Sequence, residues 1–299
     1  MRRPCPVCDA GPDKAVLFLE DSVDPARLSE FSFASRKVPE YMSHRLVRCT
    51  VCDVVYADCP PDAQELANAY HLAAYDSAEE ADDAAAAYLR AAQPALRQLP
   101  EGRSALEIGA GTGIFLECLQ SEGFSELVGI EPSAAAIGAA PSHRRAWLRE
   151  GVFRESDFEA ASFDLVCCFM TLEHVREPRA IADAAMRLLR PGGAFIAVTH
   201  DYRSLVNRLL GKRSPIIDVE HMQLFSAASL RRLFEGSGYE RISANAFVNR
   251  YSTSYWLRLA PLPTALKAGL ARALSATRLD SVRFGINVGN LFCAGYKHG

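Results

Sequence analysis

The sequence predicts an α/β fold, a mostly parallel sheet wound with crossover helices, and three observations carry that prediction. From residue 104 onward, short apolar runs alternate with amphipathic stretches of helical length, and strands separated by helices pair in parallel. The first run, Ser104 to Ile108, ends in glycines at every second position, Gly109, Gly111 and Gly113, before a helix pattern opens at Ile114. That is a strand, a tight turn and a helix start, with the helix's first amides facing whatever sits above the strand end. Ahead of it, two C-x-x-C pairs mark a small additional module.

Composition bounds the rest. With 299 residues, 49% hydrophobic and 23% charged, the chain has ample core material for one large domain with an appendage. A net charge of -3 gives no general attraction to a phosphate backbone, so nucleic acid is not an expected partner. The amino terminus lacks the apolar stretch of a secretory signal, and the longest apolar candidate, 255–274, is broken by Pro261, Pro263, Arg258, Lys267 and Arg272. A cytoplasmic protein without an integral membrane segment is expected.

In chain order, residues 1–60 carry Cys5, Cys8, Cys49 and Cys52. Two C-x-x-C turns bring four thiolates to one ion, so a structural zinc site is expected, with a loop or hairpin over roughly 20–40 filling the gap. Closed by four protein ligands, such a zinc takes no part in chemistry. Residues 61–99 form a helical linker, with helices over about 62–72 and 78–99, the second opened by Ser77 with Glu80 at capping-box spacing. Between them, Tyr70 and Tyr75 either line a pocket or pack the linker onto the core.

Beyond the glycine turn, strands are expected at about 104–108, 126–131, 163–169 and 194–199, with a weak one near 151–153. Helices are expected at about 113–122, 133–140, 178–190 and 227–235. Two acids stand at the turn. Glu107 lies two residues before Gly109 and suits a cationic amino group; Glu131 closes the second strand and suits both hydroxyls of a ribose. The glycine register is G-x-G-x-G and departs from the dinucleotide fingerprint.

On these residues the sequence resembles the class I S-adenosylmethionine-dependent methyltransferases, whose first two motifs are like the LEIGAGTG ending at Gly113 and the GIEPS ending at Ser133. The LRPGG of 189–193 is a further mark. The resemblance implies a Rossmann-like, seven-stranded sheet with the last strand antiparallel, S-adenosylmethionine as cofactor, and a domain over 100–299. It also implies a linker lid over the cofactor, Phe153 and Asp157 at the adenine, and an insert at about 245–285 covering the substrate.

The acceptor side rests on His174, after the strand ending near Phe169, and on Glu220 with His221, ahead of a helix capped by Ser226. An adjacent acid and histidine at a cofactor crevice supply an oriented proton acceptor. The cysteine pairs, LEHV at 172–175 and EH-x-x-x-FS at 220–226 are similar to deoxysugar C-methyltransferases and their shorter relatives, which implies His221 as base and His174 near the substrate. Asp218 stands where that family has tyrosine, and its large carboxy-terminal domain is absent, so oxygen of a small molecule is as good an acceptor as carbon of a sugar. An RNA-modifying enzyme that uses the zinc module to hold RNA, and a non-catalytic cofactor-binding scaffold, are the competing readings. The basic stretch of Arg258, Lys267 and Arg272 reads as a solvated face, with a membrane or lipid-linked substrate as the alternative.

Overall fold

The computed structural model describes residues 2–29, 31–34, 40–75, 78–99, 103–260 and 262–299. Three short strands open the chain, β1 (Ala15–Leu19), β2 (Leu46–Cys49) and β3 (Val55–Ala57). The helices α1 (Ala63–His71) and α2 (Ala78–Leu96) follow. The cap of α1 is a capping box of Asp62 and Glu65 that the sequence reading passed over; the expected Ser77 cap of α2 lies outside the described residues.

The α/β alternation then runs β4 (Ser104–Ile108), α3 (Ile114–Ser121), β5 (Glu126–Glu131), α4 (Ala134–Ala139), α5 (Ser142–Arg145), β6 (Leu148–Glu150), β7 (Phe163–Phe169), α6 (Pro178–Leu188) and β8 (Leu189–His200). After α7 (Leu205–Leu210) and the two-residue β9 (Gln223–Leu224) come α8 (Ala227–Gly236), β10 (Glu240–Ser252), α9 (Thr253–Leu259), α10 (Thr264–Ala276) and β11 (Arg283–Tyr296). The seven-stranded sheet has the order β10-β11-β8-β7-β4-β5-β6. Its strands are parallel from β8 to β6, and β11 runs antiparallel to both its neighbours. This is the Rossmann-like, mostly parallel sheet with an antiparallel last strand.

Two boundaries moved for local reasons. The weak third strand lies at Leu148–Glu150, because Gly151 takes φ +137 and ends the extended run that had been placed near 151–153. The helix expected to reach 190 stops at Leu188, since Leu189 already pairs with Phe163 and the Pro191-Gly192-Gly193 turn is absorbed into the start of β8.

Both faces of β7 are buried, as a central parallel strand requires. Leu165, Cys167 and Phe169 pack with α2 and α3 side chains such as Ala92, Ala95, Phe115 and Leu119. Val166 and Cys168 face the other layer, where Ala182, Ala185, Leu230 and Phe234 of α6 and α8 join Cys5, Val7, Val47, Cys49 and Tyr56 in one core. The amino-terminal strands are further tied in by β9, which pairs antiparallel with β3 to complete a four-stranded sheet. Asp53, in the turn after the second cysteine pair, accepts from Ser226 Oγ at 2.8 Å and pairs with Arg203.

Candidate active site

The carboxyl ends of β4, β5, β7 and β8 open on one side of the sheet, and the expected residues gather there. Gly109, Gly111 and Gly113 all take positive φ, at +78, +54 and +70. A Cβ on Gly109 would collide with the Thr171 side chain, whereas one on Gly111 would meet nothing within 4 Å. The first glycine is therefore required by packing, and the second leaves open space above the turn where a ligand can approach the backbone.

Glu107 is buried at the foot of this turn, and its Oε2 has no hydrogen-bond partner. Burial, then the charge of Glu131, pushes its carboxyl well above the ordinary range. A buried acceptor without a donor is costly unless a ligand supplies one, and a cationic amino group fits that vacancy of hydrogen bonding. Glu131 is also buried, with its carboxyl raised by burial. Its two oxygens accept from the backbone amides of Gly111 at 2.7 Å and Ser133 at 2.8 Å. Each oxygen keeps a second lone pair for a hydroxyl. The linker closes over this end: Tyr75 hydrogen-bonds the Thr112 side chain, and Ser133 Oγ donates to the Ala73 carbonyl at 3.3 Å.

Phe153 and Asp157 lie on the neighbouring connection between β6 and β7. Phe153 is half-buried and stacks on Phe158 with ring centroids 6.2 Å apart, while Asp157 is exposed in a short 3-10 turn.

Three histidines meet beside the turn. His174 follows β7, His200 ends β8 and His221 sits in the segment ahead of β9; the His174 and His221 ring centroids are 4.8 Å apart, and those of His200 and His221 5.7 Å. The buried His221 has Nδ1 2.9 Å from the Ile216 carbonyl. A carbonyl only accepts, so Nδ1 carries the proton of the neutral ring and Nε2 is the basic nitrogen. Tyr70 OH reaches His174 Nδ1 at 3.0 Å, and Glu220 Oε2 lies 3.8 Å from that nitrogen. Tyr70 thus packs against the histidine cluster, with Phe33 edge-on to its ring at 5.5 Å. His174, Glu220 and His221 bring one donor atom each within 4.8 Å of one another, a set open to a cation as well as to a proton.

The pair that sequence reasoning missed is Glu173 with His200. Glu173 is fully buried, and its Oε1 accepts from the His200 amide at 2.8 Å and lies 2.9 Å from His200 Nδ1. Burial alone would raise this carboxyl, yet the His200 hydrogen bond and the charges of His200 and His174 hold it below the ordinary range. A carboxylate on Nδ1 fixes the tautomer and leaves Nε2 basic, the geometry of an oriented general base. The residues stand 27 apart in sequence and meet only because β7 and β8 are neighbours; the available signal was that each directly follows or ends a central strand.

The four cysteines of the amino-terminal module converge as expected. Cys5 and Cys52 Sγ atoms are 3.5 Å apart, those of Cys8 and Cys49 3.6 Å, and all four lie within 4.8 Å of one another. Zinc–sulfur bonds of about 2.3 Å in a tetrahedron place sulfurs about 3.8 Å apart, so the donor set fits that ion. Asp9 and Asp53 after each pair take the left-handed backbone, φ +57 and +71, that lets each turn fold back on its sulfurs.

Comparison with known proteins adds an independent line. A family model described as a methyltransferase domain matches residues 61–244. The ubiquinone biosynthesis O-methyltransferase of Methylococcus capsulatus is 35% identical over 115 residues, 36% of this chain and 48% of that protein. The protein of the same name from Idiomarina loihiensis is 26% identical over 161 residues, 49% of this chain and 65% of that one. The chain spans about half the length of most of the curated relatives it matches. Among solved structures, a SAM-dependent methyltransferase from Thermotoga maritima is 22% identical, with a TM-score of 0.49, covering 72% of this chain and 89% of that one.

Proposed function

The chain belongs to the methyltransferase-domain family, and from that premise we propose that it transfers a methyl group from S-adenosylmethionine to a hydroxyl oxygen of a small molecule. The observation that carries the donor half is the buried, partnerless Glu107 Oε2 at the foot of a glycine turn whose Gly111 is open. Glu107 would hold the cofactor's ammonium, Gly109 to Gly113 would let its amino-acid end approach the backbone, and Glu131 would hold the ribose hydroxyls. Phe153 and Asp157 are assigned to the adenine side. When bound, S-adenosylmethionine supplies a methyl group on a sulfonium, already activated toward a nucleophile.

The protein's own task is then to place the acceptor, exclude water and take one proton. His221, with Nδ1 tied to Ile216, and His200, with Nδ1 on Glu173, each present a basic Nε2 for the hydroxyl proton. His174 and Glu220 orient the acceptor. Oxygen is preferred over carbon because the curated relatives carry O-methyltransferase names; a sugar or natural-product intermediate remains within the reading. The division of labour follows: a zinc-ribbon-like module over 1–60, a lid over 61–99, and the methyltransferase domain over 100–299 with an insert at 245–285. Zinc in the four thiolates is structural. The site is assigned to the cytoplasm, where cysteines stay reduced for a metal.

Incubation with methyl-labelled S-adenosylmethionine and a cell extract tests the proposal. Label is expected in a low-molecular-weight product; label confined to RNA, or no transfer at all, overturns it.

A further inference from the structure

We propose that the helical insert between β10 and β11 is a docking surface for an anionic phospholipid bilayer. The inference stands on this surface alone and does not depend on the methyl-transfer reading.

An amphipathic helix on a globular protein ordinarily turns its leucines inward. Helix α10 does the reverse. Leu266 and Leu270, one turn apart, are 49% and 40% exposed, and Lys267 between them is half-buried, its ammonium donating to the Arg258 carbonyl at 2.6 Å. The principal packing partner of α10 is α9. Leu262, Leu279 and Val282 are exposed on the same insert, and Phe284 at the start of β11 is exposed too. One exposed leucine is ordinary, but this set lies among Arg258, Lys267, Arg272 and Arg278, with Asp280 the only acid from 253 to 282, in a chain whose net charge is -3; Arg283, which opens β11, is already paired with Asp83 at 2.9 Å.

Apolar side chains interleaved with cations are what a helix lying in a bilayer interface presents. The charge decides among occupants. A second copy of the chain would bring the same cations face to face, and a nucleic acid would leave the leucines in water, whereas anionic headgroups over acyl chains satisfy both. No described helix is long and apolar enough to cross a membrane, so α9 and α10 lie on the surface. The root of the insert reaches toward the strand ends: Trp256 Nε1 donates to the Phe284 carbonyl at 3.1 Å, Tyr251 and Tyr255 have ring centroids 4.3 Å apart, and Tyr88 packs on Phe169 at the end of β7 and on Phe247 of β10, with ring centroids 5.1 and 6.0 Å apart.

The test is co-sedimentation of the full chain with vesicles of phosphatidylcholine alone or mixed with phosphatidylglycerol. The wild type is expected to sediment with the mixed vesicles only, less so as salt is raised. At about fivefold per cation, Lys267→Glu with Arg272→Glu should lower partitioning by at least about 25-fold. Leu266→Asp with Leu270→Asp should lower it by about tenfold or more. Leu266, Leu270 and Arg272 are exposed, while replacing Lys267 also removes its bond to the Arg258 carbonyl, so partitioning is compared between proteins with unchanged melting curves, and the leucine pair tests the surface without touching that bond. Three results would overturn the proposal: no sedimentation of wild type with anionic vesicles, wild-type partitioning by the leucine variant, or binding that an oligonucleotide but no vesicle supports.

Discussion

Replacing Glu107 by glutamine should move two properties in opposite directions. In the free protein this carboxyl is buried, one oxygen is without a partner, and its folded pKa is raised by burial and then by Glu131. For a group whose folded pKa exceeds its unfolded value, stability is fully present below the unfolded value and is lost as pH rises through the folded one. From about pH 4.3 upward, Glu107 therefore removes about 1.4 kcal/mol of stability per pH unit until the folded pKa is reached. Glutamine does not titrate, so Glu107→Gln should make the free protein gain stability relative to wild type as pH rises above about 4.3, the unfolded value, read by thermal unfolding.

Cofactor binding should respond the other way. Loss of a charge-assisted contact to a bound ammonium costs about 1.5–3 kcal/mol, a roughly tenfold to 150-fold weaker Kd for S-adenosylmethionine. Because burial favours the protonated acid in the free protein and a bound cation favours the carboxylate, binding should be linked to proton release by wild type. Calorimetry in buffers of different ionisation enthalpy reads that proton, and the variant should lose it. A variant Kd within twofold of wild type, with no buffer dependence in either protein, would refute the reasoning.

The other predictions separate packing from chemistry. Gly111→Ala should cost only its left-handed backbone, about 1–2 kcal/mol, while abolishing cofactor binding; Gly109→Ala should cost a further 1–3 kcal/mol or so by driving into Thr171, and equal melting temperatures would contradict this. His200→Ala and His221→Ala should each leave the cofactor Kd in place and lower kcat by about 10²–10⁴-fold if that ring is the base; full kcat in both variants removes a histidine base from the account. Cys8→Ser should lose the zinc measured per chain by atomic absorption and lower Tm by more than about 3 °C, the shift of roughly 2 kcal/mol in a chain of this size. A metal-free wild type with the same Tm as the loaded protein would refute a structural zinc.

The glycine turn and the two buried acids beside it were legible because they are written locally. Glu107, the three glycines and Glu131 are contiguous or one crossover apart, and the glycine spacing fixes the backbone they need. The cysteine cluster was legible for a similar reason, each C-x-x-C being a self-contained turn. What escaped depends on the sheet. His200 and Glu173 come together only through the β7–β8 pairing, and the His221 segment is held by β9, two residues added to a sheet begun 150 residues earlier or more. No periodicity announces a two-residue strand. The cations of α9 and α10 were legible and left a solvated face and a membrane as alternatives; that Leu266 and Leu270 face outward beside them is known only from their exposure.

Transfer of a methyl group to oxygen is the central claim, and carbon-13 spectroscopy of the product made from ¹³C-methyl S-adenosylmethionine tests it most directly. The account predicts a single labelled resonance in the methoxy region, formed by wild type and lost when His200 and His221 are both replaced. A labelled resonance in the C-methyl or N-methyl region, or a methoxy product that the double variant forms at the wild-type rate, would contradict it.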